Sequence, residues 1–214
     1  MEDSLEKAPR SLAFEPEEAP RYQGTKEELA LLPGATKPLL GGDKKPRTFD
    51  TATELGIPRL YQTALLEYWG PKAPIPALDD QRNLLILGAN GVGKSCLAAL
   101  VAMRWYAQWY SMLWLLMRYE SRRGAYEDTP HDLLEEVTGI RAVVLDDFMR
   151  VRKTEAGLWM AYNVLNRRIE NRLVTIVTSD KSLQEIDAID PAIASRLASF
   201  DRIVLKGADR RLKT

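Results

Sequence analysis

Residues 84–95, LLILGANGVGKS, contain the pattern that decides the fold of this chain. The apolar run at 84–87 predicts a short buried strand, and the alanine-rich segment after the loop predicts a helix. The loop between them has the form G-x-x-x-x-G-K-S, whose glycines let the backbone curl until successive N–H groups point at phosphate oxygens. The positive end of the following helix adds to that attraction. This strand–loop–helix setting predicts a nucleotide site.

ATP and Mg²⁺ are the ligands that this loop predicts. The expected nucleotide contacts are Gly88, Ala89, Asn90, Gly91, Val92, Gly93, Lys94 and Ser95. Lys94 is expected to reach the β- and γ-phosphates, while the Ser95 hydroxyl binds the metal. Cys96, the next residue, is expected to pack behind the loop rather than to react.

A second apolar run ends in two acids. The segment RAVVLDDF at 141–148 predicts a strand at 142–145, followed by Asp146 and Asp147. Mg²⁺ favours an octahedral shell of hydroxyl, carboxylate, phosphate and water oxygens, so Asp146 is expected to complete the metal site. Asp147 is placed to polarise the attacking water. The alternative is a pair of surface aspartates in a turn.

A third strand is predicted in LVTIVTSD at 173–180. It ends in Thr178, Ser179 and Asp180, and polar residues at the carboxyl end of a strand face the ligand crevice of an open α/β sheet. One of the three is expected to sense the γ-phosphate or to position water.

Composition excludes several classes of protein. The 214 residues allow one ordinary domain, or one domain with a tail. Because 30 basic residues balance 30 acidic ones, a nucleic-acid partner has to meet a local basic patch. The single cysteine excludes an internal disulfide, and the single histidine, His131, leaves no metal-ligand set. With neither a signal peptide nor an apolar membrane span, we expect a cytoplasmic protein without a membrane partner.

The composition changes near residue 47. Six of the twelve prolines precede it, together with acidic clusters, so residues 1–46 are predicted to form a mostly flexible tail. Within the tail, TKEELALL could open a helix with Thr25 and Glu28 as a capping box. The tail is either a solvated leader or a partner-docking segment. Residues 47–214 alternate apolar runs with helical patterns, which predicts an α/β domain with a parallel sheet covered by helices.

Helical spacing in GLWMAYNVLNRRIE at 157–170 predicts a crossover helix packed on the sheet. The aromatic run MRWYAQWYSMLWLL at 103–116 could suggest base stacking. Trp105 and Trp109 fall at i and i+4 on the predicted helix after the loop, however, and Trp114 falls on the predicted strand that follows. We therefore expect these aromatic side chains to pack in the core.

The order of motifs GANGVGKS, VVLDDF, IVTSD, ASRL and KGADRRL resembles the AAA+ ATPases of the DnaC/DnaI helicase-loader and IstB transposition-helper group. The resemblance covers residues 48–214. It implies a P-loop AAA+ parallel sheet sandwiched by helices, with a minimal or absent helical lid. The chain departs from the group where TSD replaces the usual TSN, and where FMRVRK replaces a glycine-containing turn after the paired acids.

The resemblance also implies roles for residues outside the P-loop. Arg196 corresponds to the arginine finger that reaches into a neighbouring subunit's site, which requires self-assembly into an ATP-dependent ring or spiral. Arg211 corresponds to the C-terminal sensor arginine, with Arg210 as the alternative. The sensor on the TSD strand falls on Asp180, with Ser179 as the alternative.

Two basic clusters are candidates for a DNA path. They are Arg118, Arg122 and Arg123 in MRYESRRGAY, and Arg150, Arg152 and Lys153 in MRVRK. Arginine and aromatic residues can follow a phosphate backbone and stack bases without reading sequence, so the expected partner is single-stranded DNA without sequence specificity. The alternative for each cluster is a solvated charged surface.

These inferences lead to an ATP-dependent loader that places a hexameric replicative helicase on single-stranded DNA. The main alternative is an IstB-like transposition helper that binds DNA and a transposase with the same motor. A small-molecule P-loop kinase, and a switch that binds ATP but hardly hydrolyses it, are further alternatives.

Overall fold

The structure, a computed structural model, describes residues 11–14, 49–62, 82–121, 130–150 and 154–209. The strands of these ranges are β1 Ser11–Phe14, β2 Leu84–Gly88, β3 Gln108–Ser111, β4 Ala142–Asp146, β5 Val174–Ser179 and β6 Asp201–Leu205. The helices are α1 Phe49–Glu54, α2 Lys94–Trp105, α3 Met112–Ser121, α4 Pro130–Gly139, α5 Glu155–Glu170, α6 Leu183–Asp187 and α7 Pro191–Ala198. A 3-10 turn spans Phe148–Arg150.

The described strands form one sheet in the order β1-β6-β2-β5-β4-β3, and every pairing is parallel. The register pairs Leu87 of β2 with Ser179 of β5, and Leu145 of β4 with Val177 of β5. Because parallel strands all end at one edge, the polar residues after β2, β4 and β5 meet there. The topology thus assembles the three predicted motifs at one edge of the sheet.

Side chains that alternate along the strands divide the core into two layers. Ile86, Val144 and Ile176 face the layer that contains α1 and α2. Leu85 and Val177 face the opposite layer, which contains α3 to α7. The strands are buried on both faces, as expected for a parallel sheet covered by helices. The predicted α/β sandwich is confirmed.

The crossover helix predicted at 157–170 is α5, which begins two residues earlier. Thr154 is its N-cap, and the Thr154 side chain accepts a hydrogen bond from the N–H of Gly157 at 3.1 Å. This bond satisfies one of the N–H groups that have no partner in the first turn of a helix.

The predicted placement of two tryptophans is wrong. Tyr106 adopts a left-handed conformation with φ 53°, so α2 ends at Trp105 and Trp109 lies in β3. Trp114 then lies in α3 rather than in a strand. Trp105 and Trp109 are buried in the core as predicted, whereas 46% of Trp114 is exposed.

The predicted flexible tail contains one described element. Residues 11–14 form β1, whose Ser11 aligns with Arg202 of β6. The backbone of β1 supplies hydrogen-bond partners to β6, which lies next to β2. The rest of 1–46, including the helix predicted around Thr25, lies outside the described residues.

Among the described helices, none combines the length and the apolar character that crossing a membrane requires.

A fully buried arginine joins three elements at the opposite edge of the sheet. Arg168 of α5 donates hydrogen bonds to the Val137 carbonyl at 2.7 Å and to the Ile140 carbonyl at 2.8 Å, at the end of α4. It also donates to the Val174 carbonyl at 2.7 Å and to the Thr175 hydroxyl at 3.0 Å, in β5. Burial lowers the pKa of the guanidinium to about 10, so it remains charged at neutral pH.

Replacing Arg168 with methionine is expected to lower the free energy of unfolding by about 3–5 kcal/mol, because several buried carbonyls lose their donor at once. The measurement is urea unfolding followed by circular dichroism. Arg172→Ala, at an exposed position in the turn before β5, is the matched control and should change stability by less than about 0.5 kcal/mol. Equal effects of the two substitutions would contradict a special role for Arg168.

Candidate active site

The loop at 88–93 joins β2 to α2 and is shaped by its glycines. Gly88 allows a close approach of two strands, because a Cβ on it would lie 2.5 Å from the Leu205 carbonyl oxygen of β6. Gly93, the N-cap of α2, has φ 102°, a conformation that side-chain-bearing residues rarely adopt. The backbone curl that a phosphate site requires is therefore present, and it ends at a helix N-terminus.

Lys94 is buried at the base of this loop. Its Nζ donates a hydrogen bond to the Ala89 carbonyl at 2.9 Å, across the loop. Burial lowers the pKa of Lys94, and the nearby carboxylates of Asp147, Asp180 and Asp146 act in the opposite direction. The ammonium group thus lies among acids and beside the loop, where it can neutralise phosphate charge.

Asp146 accepts two hydrogen bonds on one oxygen. The Ser95 hydroxyl donates to Asp146 Oδ1 at 2.8 Å, and the Thr178 hydroxyl donates to the same oxygen at 2.7 Å. Burial raises the pKa of Asp146 to about 6, although both hydrogen bonds oppose the rise. The structure therefore brings the two predicted metal ligands, Ser95 and Asp146, into direct contact.

Thr178 connects the two acids. Besides donating to Asp146, its hydroxyl accepts a hydrogen bond from the backbone N–H of Asp147 at 2.9 Å. Asp147 has φ 53°, in the left-handed region, which breaks the strand direction directly after Asp146. Thr178 is one of the three sensor candidates, and its contacts link it to both acids.

The two sensor candidates differ in their surroundings. Ser179 is fully buried, and its hydroxyl accepts a hydrogen bond from the N–H of Lys181 at 3.1 Å. Asp180 is half-buried and contributes to the electrostatic environment of Lys94. This arrangement favours Asp180 as the group that faces the phosphate site.

Arg196 of α7 is held by side chains of α5 in the same chain. Its Nε donates to Asn166 Oδ1 at 2.7 Å, and its Nη2 donates to the Tyr162 hydroxyl at 2.6 Å. The guanidinium carbon also lies 4.2 Å from the centroid of the Tyr162 ring. These contacts give the guanidinium a defined direction.

The described DNA candidates have different surroundings. Arg118 of α3 forms an ion pair with Glu136 at 3.2 Å and lies 4.5 Å from the centroid of the Trp114 ring. Arg150 instead lies at the candidate active site, where its guanidinium contacts Asn90 and Asp147. The remaining basic candidates lie outside the described residues: Arg122, Arg123, Arg152, Lys153, Arg210 and Arg211.

Two residues near the site were missed by sequence reasoning. The Tyr61 ring lies 5.5 Å from that of Trp109, and its pKa is raised by burial and by the charge of Asp146. Asp209 lies against the phosphate loop, since a Cβ on Gly91 would overlap its carboxylate. No local motif marks Tyr61. Asp209 falls within the KGADRRL motif, directly before the predicted sensor arginines, but that motif assigns it no role.

The residues present fit a nucleoside triphosphate with its metal. A glycine loop at a helix N-terminus with a buried lysine suits phosphates, and an adjoining hydroxyl and carboxylate are oxygen ligands of the kind that Mg²⁺ prefers. When bound, the metal and the triphosphate supply the polarised phosphoryl group and the leaving group. This site, at the carboxyl edge of a parallel sheet, defines a P-loop nucleotide-binding protein of the AAA+ type.

A family model described as IstB-like ATP binding protein matches residues 73–209, and the chain belongs to this family. The match spans more than half of the chain and includes the P-loop, the paired acids and the TSD strand. No curated protein sequence matches the chain significantly.

Solved structures share the fold. The DnaC helicase loader has 19% identity and a TM-score of 0.50, and the match covers 59% of this chain and 80% of that chain. AMPPCP-bound DnaA from Aquifex aeolicus has 15% identity and a TM-score of 0.54, with 69% and 45% of the two chains covered. A DnaA bound to AMPPCP and single-stranded DNA has 15% identity and a TM-score of 0.53, with 60% and 41% covered. This chain thus spans less than half of those two initiators, and the likeness confirms the AAA+ fold.

Replacing Asp146 with asparagine is expected to stabilise the protein in the absence of nucleotide and divalent metal. A carboxyl whose pKa rises on folding binds protons more tightly in the folded state, so the stability of the unsubstituted protein falls as the pH rises from about 4 to about 6 and then stays level. Asparagine lacks this penalty. The free energy of unfolding of Asp146→Asn should therefore exceed that of the unsubstituted protein by on the order of 2 kcal/mol above pH 7. The difference should vanish near pH 4.

Thermal unfolding across this pH range in the presence of a chelator measures the difference. Asp187→Asn, at an exposed position in α6, is the matched control and should show no such pH-dependent gain. The prediction would be contradicted if the stability gained through Asp146→Asn were smaller at pH 8 than at pH 4.

Proposed function

We propose that this protein is an ATP-dependent loader that places a hexameric replicative DNA helicase on single-stranded DNA. The observation that supports the proposal is a phosphate-type loop beside the Ser95–Asp146 pair, on a chain whose match covers 80% of the solved chain of the DnaC helicase loader. The match covers a larger share of that loader's chain than of either DnaA chain. The proposed setting is the cytoplasm.

ATP hydrolysis is the proposed source of energy. Lys94 and the loop N–H groups bind the phosphates, while Ser95 and Asp146 hold Mg²⁺. Asp147 accepts a proton from the attacking water, a role for which its carboxylate lies next to the metal-binding acid. Asp180 senses the terminal phosphate from the end of β5, and Arg211 senses it from beyond β6.

Arg196 is proposed to act on the site of a neighbouring subunit within a ring or spiral. Head-to-tail assembly generates such heterologous interfaces. The contacts with Tyr162 and Asn166 support this role, because they hold the guanidinium in one direction before assembly. A guanidinium remains charged and can neutralise charge that develops on the transferred phosphoryl group.

The proposed DNA contacts are sequence-independent and come from the two basic clusters around Arg118 and Arg152. DNA affinity is therefore expected to fall as the salt concentration rises. Of the described residues, Trp114 supports this role, because it is exposed beside the Arg118 guanidinium and presents a surface on which a base can stack.

An IstB-like transposition helper is the second candidate, and the family match at 73–209 favours it directly. It would use the same ATP site with duplex DNA and a transposase. The two candidates thus differ in the partner protein and in the form of DNA. A small-molecule kinase differs from both, since its ATP turnover would respond to a metabolite rather than to DNA.

The immobilised full-length chain is expected to capture the replicative helicase of its own source, with the amount captured depending on whether ATP or ADP is present. A version that begins at Thr48 tests whether the tail is the docking segment, because capture should then be lost on truncation. Lys94→Ala is the control for nucleotide dependence. If the folded protein captured no helicase with any nucleotide, the loader proposal would be contradicted. A transposase would then be the partner to test.

Arg196→Ala is expected to lower ATP turnover by at least about 100-fold, because removal of an arginine finger costs about 10³–10⁵ in other phosphoryl-transfer proteins. Mixing it with Lys94→Ala subunits should restore part of the turnover, since an intact site that adjoins a Lys94→Ala subunit then obtains an intact finger. Arg172→Ala is the matched control. Absence of any recovery in the mixture would contradict action between subunits.

A further inference from the structure

We propose that Arg150 binds the terminal phosphate of ATP within its own subunit and makes the site selective for the triphosphate over the diphosphate. This inference rests on the ATP-binding part of the proposed function. It gives Arg150 a nucleotide-binding role in place of the DNA contact that its basic neighbourhood suggests.

The position of Arg150 is the first observation. Its Nη2 donates to Asn90 Oδ1 in the phosphate loop at 3.3 Å, and its Nη1 lies 3.3 Å from Asp147 Oδ2. One guanidinium therefore spans the distance between the loop and the paired acids. The terminal phosphate of a nucleotide in this loop has to lie between the same two elements, because the metal ligand Asp146 and the water-polarising Asp147 act on it.

The surrounding charges are the second observation. The carboxylates of Asp146, Asp147 and Asp180 all lie near Lys94. A phosphate that enters between the loop and these acids would be repelled by them. A second cation at this place, Arg150, lowers that repulsion.

The weakness of the present ion pair is the third observation. The side chains of Arg150 and Asp147 are 47% and 28% exposed, and an ion pair with that much exposure contributes about 0–1 kcal/mol. A phosphate carries more charge than a carboxylate and accepts two parallel guanidinium hydrogen bonds. Exchange of Asp147 for a phosphate oxygen therefore favours the bound state, and it releases the Asp147 carboxylate to contact water.

The location of Arg150 explains why this role differs from that of Arg196. Arg150 follows the paired acids of its own chain within three residues, in the 3-10 turn after β4. Arg196 lies on α7 and contacts α5. The first arginine can affect nucleotide affinity in a single subunit, whereas the second requires a neighbour.

Fluorescent analogues of ADP and of a non-hydrolysable ATP provide the test, at protein concentrations below those of self-assembly. Arg150→Ala should weaken binding of the triphosphate analogue about tenfold, because a hydrogen-bonded contact with a charged group is lost. Binding of the diphosphate analogue should change less than about twofold. Arg150→Lys should restore part of the selectivity, and Arg172→Ala, with the same loss of charge at a distant position, should leave both affinities unchanged.

Each outcome bears on the inference. Equal weakening of both nucleotides, or no change in either, would overturn it while leaving the proposed function in place. If Arg150→Ala lowered the affinity for single-stranded DNA and left the ratio of the two nucleotide affinities unchanged, the inference would be wrong and Arg150 would be a DNA-binding residue. If the unsubstituted protein bound neither nucleotide, the proposed function would fail together with this inference. Thermal unfolding of each variant checks that the substitution leaves the fold intact.

Discussion

The candidate active site depends on one buried carboxylate oxygen that accepts two hydroxyl hydrogen bonds. Asp146 Oδ1 joins Ser95 at the start of α2 to Thr178 in β5, so one atom fixes the relative positions of a helix and two strands. Burial of the carboxylate raises its pKa, and folding therefore places a charge where solvation is poor. A divalent cation would relieve that cost. These oxygen atoms thus lie in an arrangement that a divalent cation would stabilise.

Much of the fold and the phosphate site could be predicted because their signals are local. The glycine loop, the lysine and the serine lie within eight consecutive residues, and Asp146 ends an apolar run that is typical of a buried strand. Parallel pairing then brings the separate motifs to one edge without further information. The direction of each side chain is a different matter. Thr178 contacts both acids because of the register between β4 and β5, which cannot be predicted from the local sequence.

A local pattern in the sequence does not reveal tertiary contacts or a single unusual backbone angle. Trp109 fits a helical spacing, but the left-handed Tyr106 ends α2 before it. Arg168 resembles any basic residue on an amphipathic helix, and only the convergence of α4 and β5 shows that its guanidinium is buried. Arg150 belongs to a basic run, which predicts a solvated or DNA-binding surface. Its contact with Asn90 depends on how the turn after β4 folds back over the loop.

Asp209 gives the phosphate loop an anion of its own. Its carboxylate occupies the space beside Gly91, and a phosphate in the same place would meet both its volume and its charge. Nucleotide and carboxylate would therefore compete for the same part of the loop. The affinity of the loop for a phosphate thus includes the work of displacing an acid that belongs to the same chain.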